Sequence, residues 1–215
     1  VSEGGLYELL RRYWPELDEK SARKVVQFQE ILAKENKIQN LTRLISPSDF
    51  VFGHTVDVRE LLKTNYLTFP AMDLGSGCGV PGLLAALITQ KPWILAEAEG
   101  HKADFLKRAV LECELEGQVR VFSGRAEMFL KTEQVETIVA RAVGPVERIF
   151  GWIRNCSTWN KLVLLKGPSW TEEWQNFLSG RDKKKLILRN SHEYFVGPEK
   201  KKRIIVELER VPRGT

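Results

Sequence analysis

In the stretch MDLGSGCGVPG, Met72 to Gly82, four glycines and a proline follow one carboxylate. A chain that bare turns through positive φ and lets a ligand come up against naked backbone. Before it, TFPAM reads as a short apolar strand; after it, LLAALI reads as the core of a helix. Strand, glycine turn and helix is the setting in which such a turn binds nucleotides, so the stretch asks for a ligand with an adenosine part. The spacing is Asp73-x-Gly75-x-Gly77-x-Gly79. The third glycine of the dinucleotide pattern GxGxxG would fall at Val80, which spoils that match. An acidic residue followed by GxGxG suits S-adenosylmethionine instead, with Asp73 placed around the amino acid part of the cofactor and Val80-Pro81 entering the helix stiffly. Glu97 ends the next strand, 22 residues after Gly75. A carboxylate there accepts both ribose hydroxyls, for NAD and for S-adenosylmethionine alike. An NAD-dependent oxidoreductase therefore stays open as an alternative.

Other side chains could do chemistry further along. His54 and Asp57 stand one helical turn apart and share a face. That face either meets a substrate or pins the helix onto its neighbours. Arg141 ends the fourth strand, where ligands gather outside the carboxyl ends of a parallel sheet. It could meet a carboxylate or a phosphate, or serve a structural ion pair. Lys166 ends the fifth strand and could bind an RNA phosphate. Ala126-Glu127 opens the third connection, with Glu127 placed as a charge at a helix start. His101 follows the second strand and reads as solvated; His192 stands in the last hairpin without a nameable partner. Most of the six tryptophans, among them Trp152, Trp159, Trp170 and Trp174, read as packing residues.

These residues must be positioned by regular elements. Leu6, Leu9, Leu10 and Tyr13 follow helical spacing, and Pro15 ends that segment. Ser21 to Glu35 repeats the pattern with Val25, Phe28, Ile31 and Leu32 on one face. Ser46-Pro47 opens a third helix carrying Phe50, Val51, His54, Val58, Leu61 and Leu62. From Phe69 strands and helices alternate: TFPAMDL, VPGLLAALIT, WILAEA, HKADFLKRAVLECEL, VRVFSG, a short helix or turn from Ala126 to Leu130, ETIVARAV, VERIFGWIRNC, KLVLLKG and WTEEWQNFLSG. Two strands follow, KLILRNSHEYFV and KKRIIVELERV, joined by the turn-like GPEKK. Regular βα alternation gives an α/β fold, a mostly parallel sheet with helices on both faces. The closing hairpin is expected to set an antiparallel strand at the edge.

Composition bounds the function. The 215 residues are 43% hydrophobic and 28% charged, enough for one good-sized core. No apolar run approaches the ~20 residues that span a bilayer, and VSEGGLYELLRRYW lacks the apolar core of a signal peptide. Cys78, Cys113 and Cys156 are widely spaced, with no CxxC pair, so neither a metal site nor a disulfide framework is expected. The protein reads as cytoplasmic with reduced thiols. Net charge is +5, with basic runs at Arg181–Lys185 and Lys200–Arg203. A polyanionic partner fits, nucleic acid first, which leaves a non-catalytic RNA-binding module as a second alternative.

The order of motifs adds a resemblance. NKIQNLT (Asn36 to Thr42), the HxxD of His54 to Asp57, DLGSGCGVPG, Ala126-Glu127, Arg141-Ala142 and Lys166-Gly167 are similar to segments of the bacterial small-subunit ribosomal RNA guanine-N7 methyltransferases, the glucose-inhibited division protein B family. Glu97-Ala98 stands where that family usually has Asp-Ser, His101-Lys102 where it has Lys-Arg, and Val58 where Ser follows the Asp. The resemblance implies a class I S-adenosylmethionine-dependent methyltransferase fold with a Rossmann-like, seven-stranded sheet. An N-terminal helical extension, residues 1–66, would precede the methyltransferase domain, residues 67–215. It implies S-adenosylmethionine held by Asp73, Gly75, Gly77, Gly79, Val80, Glu97, Ala126, Glu127 and Arg141. His54, Asp57, Arg141 and Lys166 would serve transfer. The acceptor would be N7 of a guanosine in the decoding region (530 loop) of 16S ribosomal RNA, with the small ribosomal subunit as partner and the enzyme a monomer.

Overall fold

The N-terminal part is helical, as its spacing predicts, and the computed structural model describes the chain from residue 3 to residue 211. Helix α1 spans Glu3–Tyr13 and α2 spans Glu19–Gln39. Asp18 caps α2, its Oδ1 accepting the Ser21 N–H at 2.9 Å, which satisfies one of the otherwise unpaired amides of the first turn. The helix runs past Glu35 to Gln39 and stops where Asn40 turns left-handed, φ +46, with its N–H on the Asn36 carbonyl. Asparagine tolerates that conformation. Val25, Phe28, Ile31 and Leu32 form the buried stripe.

Ser46 caps the third helix and Pro47 occupies its first turn. This helix has three parts: α3 (Pro47–Phe50), a π-helical segment (Val51–Thr55) and α4 (Val56–Lys63). The rest alternates as read: β1 (Ala71–Leu74), α5 (Gly82–Thr89), β2 (Trp93–Glu97), α6 (Gly100–Glu112), β3 (Val119–Ser123), α7 (Ala126–Phe129), β4 (Thr137–Arg141), α8 (Val146–Ile153), β5 (Lys161–Lys166), α9 (Trp170–Ser179), β6 (Leu186–Val196) and β7 (Lys201–Arg210).

The seven strands lie in the order β3-β2-β1-β4-β5-β7-β6. β1 to β5 are parallel, and β7 is antiparallel to both β5 and β6. The last two strands do form a hairpin, but the expected antiparallel edge strand is corrected: β7 is the penultimate strand, and the edge strand β6 runs in the direction of β5. Burial explains the choice. β7 carries the buried Ile204, Ile205, Val206 and Leu208, whereas Arg189, Asn190, Ser191 and Glu193 of β6 face solvent. The more apolar strand takes the place with a partner on each side.

Both faces of the sheet are covered. Along β5, Val163 and Leu165 enter a core with Phe28, Phe50, Leu83, Leu84 and Phe105, so α1 to α4 share this face with α5 and α6. Leu162 and Leu164 enter the opposite core with Met72, Phe150, Trp159 and Phe177, under α7 to α9. A strand buried on both sides reads as a continuous apolar run, as KLVLLK does. Trp14, Trp93, Trp159 and Trp170 are buried, and Trp174 is sandwiched between Trp170 and Phe177, centroids 5.5 and 5.2 Å apart. Trp152 is the more exposed one, at 39%.

Candidate functional site

The strand order reverses between β1 and β4, and a crevice opens there at the carboxyl ends, where ligands bind in open α/β sheets. It holds a cavity of about 690 Å³. One wall is the glycine turn. Gly75, Gly77 and Gly79 take φ of +74, +53 and +88, values that cost other residues about 1–2 kcal/mol each. The Gly75 and Ser76 amides both donate to the Ala96 carbonyl, at 2.9 and 3.2 Å, and Ser76 Oγ donates back to the Asp73 carbonyl at 2.9 Å. The turn is thus fixed without using the Cβ side of Gly77, where the nearest atom is the Gly75 oxygen at 3.9 Å.

Asp73 lies directly beneath this wall, only 1% exposed. Its Oδ2 accepts the Gly82 N–H at 2.8 Å, and its Oδ1 has no partner. Burial pushes the carboxyl up to about 7; the Gly82 amide and Arg141 pull it down, and Glu97 adds to the push. The folded value thus lies above the unfolded one. The resulting stabilisation is whole below about pH 4 and is lost as the pH rises through about 7. Asp73→Asn stays neutral, so its stability relative to the native chain is expected to improve from about pH 5 to about pH 8, by on the order of 2–4 kcal/mol. Thermal unfolding at several pH values measures this; a constant difference would mean that Asp73 does not titrate there.

Glu97, 6% exposed, ends β2. Its Oε2 accepts the Gly77 N–H at 2.8 Å and its Oε1 the Glu99 N–H at 2.9 Å. Each oxygen keeps a lone pair. The extra methylene relative to Asp lets the carboxylate span both amides.

The opposite wall is built around Arg141. Its Nη1 donates to the Gly53 carbonyl at 2.6 Å and to Asp57 Oδ2 at 3.0 Å, and its Nη2 to His54 Nδ1 at 2.9 Å. Since Arg141 can only donate, His54 Nδ1 is the accepting nitrogen, and Nε2–H points to Thr42 Oγ1 at 3.4 Å. Burial, then the charges of Arg141 and Arg203, hold His54 well below its usual pKa and keep it neutral. Asp57 Oδ1 accepts Tyr194 Oη–H at 2.7 Å and the Arg203 guanidinium. The NLT segment, the HxxD helix, the RA dipeptide and the closing hairpin thus meet in one network. Gly53 allows it, because a Cβ there would stand 2.5 Å from Leu44 Cδ1. Ala142 turns left-handed, φ +58, and Val143 then packs on Gly75, so that a Cβ on Gly75 would meet Val143 Cγ2 at 2.9 Å.

Of the residues singled out in the sequence, His54, Asp57, Gly75, Gly77, Val80, Glu97, Arg141 and Lys166 line this one cavity. Lys166 is not a loose surface lysine: its Nζ donates to the Gly144 carbonyl at 2.7 Å and pairs with Glu173 at 2.6 Å. Gly79 turns away from the cavity, where a Cβ would press on Leu83 and Phe28, both at 3.2 Å. Ala126 is buried in the core under α7, and Glu127 stands 4.0 Å from Arg125; neither lines the cavity. His101 is exposed beside Glu99, as expected, and His192 has found a partner, with Nε2 2.9 Å from the buried Glu60 carboxylate. Thr42, Gly53, Tyr194 and Arg203 were not singled out by chemistry. Thr42 at least sits within the NKIQNLT motif, and Arg203 showed only as the last residue of the basic run Lys200–Arg203; Tyr194 carries no local signal.

Comparison with known proteins agrees with this arrangement. The family model described as rRNA small subunit methyltransferase G matches residues 21–204. The chain is 36% identical over 169 residues to a "Ribosomal RNA small subunit methyltransferase G" of Rhodopirellula baltica, covering 76% of this chain and 71% of that one. It is 30% identical over 181 residues to the protein of that name from Solibacter usitatus, covering 83% and 86%. Among solved structures, an O-methyltransferase from Bacillus cereus in complex with SAH matches with TM-score 0.59 at 15% identity, over 86% of this chain and 91% of that chain. The METTL16 MTase domain matches with TM-score 0.58 at 14% identity, over 96% and 92%. These show a shared fold, the seven-stranded methyltransferase sheet. With the family match extending from α2 into β7, and all of the motifs but Ala126-Glu127 gathered around one crevice, the chain belongs to the rRNA small subunit methyltransferase G family.

Proposed function

We propose that this protein transfers a methyl group from S-adenosylmethionine to N7 of one guanosine in the decoding region of 16S ribosomal RNA, acting as a monomer in the cytoplasm on the small ribosomal subunit or its precursor. The observation that carries the reading is the convergence of five of the six motifs on a cavity with bare backbone on one wall and guanidinium groups on the other. Among the described residues no helix is long and apolar enough to cross a membrane.

The residues present fit the donor. Gly77 offers an open approach to backbone, Glu97 keeps lone pairs for two ribose hydroxyls, and Asp73 Oδ1 and Arg141 Nε are a buried acceptor and donor still without partners. Gly75, Gly77, Val80 and Glu97 would hold the cofactor, with Asp73 beneath and Arg141 facing. When bound, S-adenosylmethionine supplies an electrophilic methyl group on a cationic sulfur. Guanine N7 has an in-plane lone pair and no proton, so no general base is needed. His54 matches this: both ring nitrogens are engaged, and it orients Arg141 rather than moving a proton. Asp57 likewise has its oxygens on Arg141, Arg203 and Tyr194 and acts by holding the guanidinium groups in place. What remains for the chain is alignment, which alone is worth on the order of 7–11 kcal/mol of barrier in well-oriented systems. Lys166, tied to Glu173, would stand at the rim near the RNA backbone.

The test is incubation with labelled S-adenosylmethionine and small subunits from cells that lack the modification, followed by mass spectrometry of the nucleosides. One N7-methylguanosine per subunit is expected. Donor binding with no transfer would leave the cofactor standing and overturn the acceptor; rRNA binding with neither donor binding nor transfer would favour an RNA-binding module; nicotinamide cofactor binding in place of S-adenosylmethionine would overturn the reading entirely.

A further inference from the structure

The two basic runs lie at opposite ends of the sheet. Arg181–Lys185 precedes β6, whose first residue Leu186 pairs with Arg210 near the amino end of β5, far from the crevice. Asp182 there already engages Arg154 and Lys185. Lys200–Arg203 opens β7 beside the carboxyl end of β5, where Lys166 pairs with Ile204. This second run stands at the mouth of the cavity.

A smaller trough of about 300 Å³ adjoins the cavity and shares Leu44, Gly53 and Arg203 with it. Phe52 of the π-helical segment, Pro198 of the β6–β7 turn and Lys201, the first residue of β7, line it. Arg203 is therefore the side chain at the junction. Its guanidinium spends Nη1 on Asp57, and the side chain remains 28% exposed. Asp57 is shared with Arg141, so two cations stand over one carboxylate, an excess of one positive charge at the junction. Of the two acids of the trough, Glu199 pairs with Lys201 at 2.9 Å, whereas Asp49 accepts from the neutral Ser46 Oγ at 2.6 Å and keeps its charge. A guanidinium with spare donors, one of two over a single carboxylate, matches a phosphate, to which it can present two parallel N–H groups.

We propose that Arg203 binds a phosphodiester of the RNA strand flanking the target nucleotide, and that this strand leaves the active site along the trough beside Lys201. This rests on the RNA-methylating function proposed above. Phosphate contacts of this kind fix register and orientation and leave the reading of bases to other groups. The carboxylate of the donor carries the same chemistry, and the experiment separates the two sources.

Arg203→Gln and Lys201→Ala are made in the full chain, and binding of a single-stranded RNA oligonucleotide and of S-adenosylhomocysteine is titrated calorimetrically at several salt concentrations. Losing one phosphate contact is expected to make the slope of log K against log salt shallower by about 0.7. Arg203→Gln is expected to weaken RNA binding about tenfold, with S-adenosylhomocysteine affinity changed less than about twofold. Lys201, exposed and paired with Glu199 alone, can be removed without touching the Asp57 network, so Lys201→Ala tests the trough even where Arg203→Gln lowers the melting temperature. An unchanged slope in both variants overturns the proposal. Lost S-adenosylhomocysteine affinity with RNA affinity intact overturns it in favour of the donor carboxylate. If the native chain binds S-adenosylhomocysteine but no RNA, the failure belongs to the RNA-methylating function itself.

Discussion

Gly82→Ala is expected to destabilise the protein by about 3–5 kcal/mol and to abolish donor binding. The new Cβ would stand 2.6 Å from Asp73 Cβ, 2.7 Å from Asp73 Oδ2 and 2.7 Å from Leu95 Cδ2. Asp73 Cβ is fixed to the backbone of a central strand and cannot swing aside, and Asp73 and Leu95 are both buried, so their side-chain ends have no open space to move into. Helix α5 must move away from β1 instead. That breaks the Gly82 N–H bond to Asp73 and leaves a buried carboxyl with no partner on either oxygen. Gly77→Ala is the contrast. Its Cβ meets nothing nearer than 3.9 Å but needs φ +53 and points into open space. It is expected to cost about 1–2 kcal/mol in stability while still removing donor binding. Denaturant unfolding and calorimetric titration with S-adenosylhomocysteine on both variants give the comparison. Equal, small stability losses would mean that close packing of α5 on β1 is not what the glycine protects.

The second large effect is expected at Asp57. Asp57→Ala should cost about 3–5 kcal/mol, because it strands two guanidinium groups over a site only 2% exposed. Asp57→Asn keeps an oxygen for one arginine and should cost less, with donor and RNA affinity both reduced as Arg141 loses its orientation. A carboxylate facing the methylated base would behave differently, slowing transfer while leaving stability unchanged, and the three bonds to Asp57 argue against that pattern. A double-variant cycle isolates the charge. Removing Arg203 as well, in Asp57→Ala with Arg203→Gln, is expected to recover part of the lost stability, since fewer charges are left unpaired. Strictly additive losses would mean that Asp57 and Arg203 are not coupled.

The sequence by itself determined the order and kind of the elements, the glycine turn and the two carboxylates around it. Those are local matters. Alternation of strands and helices, a Pro at a first turn and glycines at positive φ each arise from a few adjacent residues, and the apolar periods report which faces are buried. The family motifs were legible for the same reason, as short runs of fixed spacing. The tertiary structure decided the rest. It made β7 the inner strand and β6 the edge, because the relative burial of two strands depends on what lies beside them. It brought Tyr194 and Arg203 onto Asp57 across more than 130 positions of chain. It made His54, which the sequence left between meeting a substrate and pinning its helix, a neutral hydrogen-bond acceptor by burying it against two arginines. It took Ala126 and Glu127 away from the cavity, and it set one basic run at the mouth and the other at the far end. Each of these depends on which charged and polar groups meet where water is excluded. A folded chain fixes that through contacts distant in sequence, and no local pattern of residues encodes it.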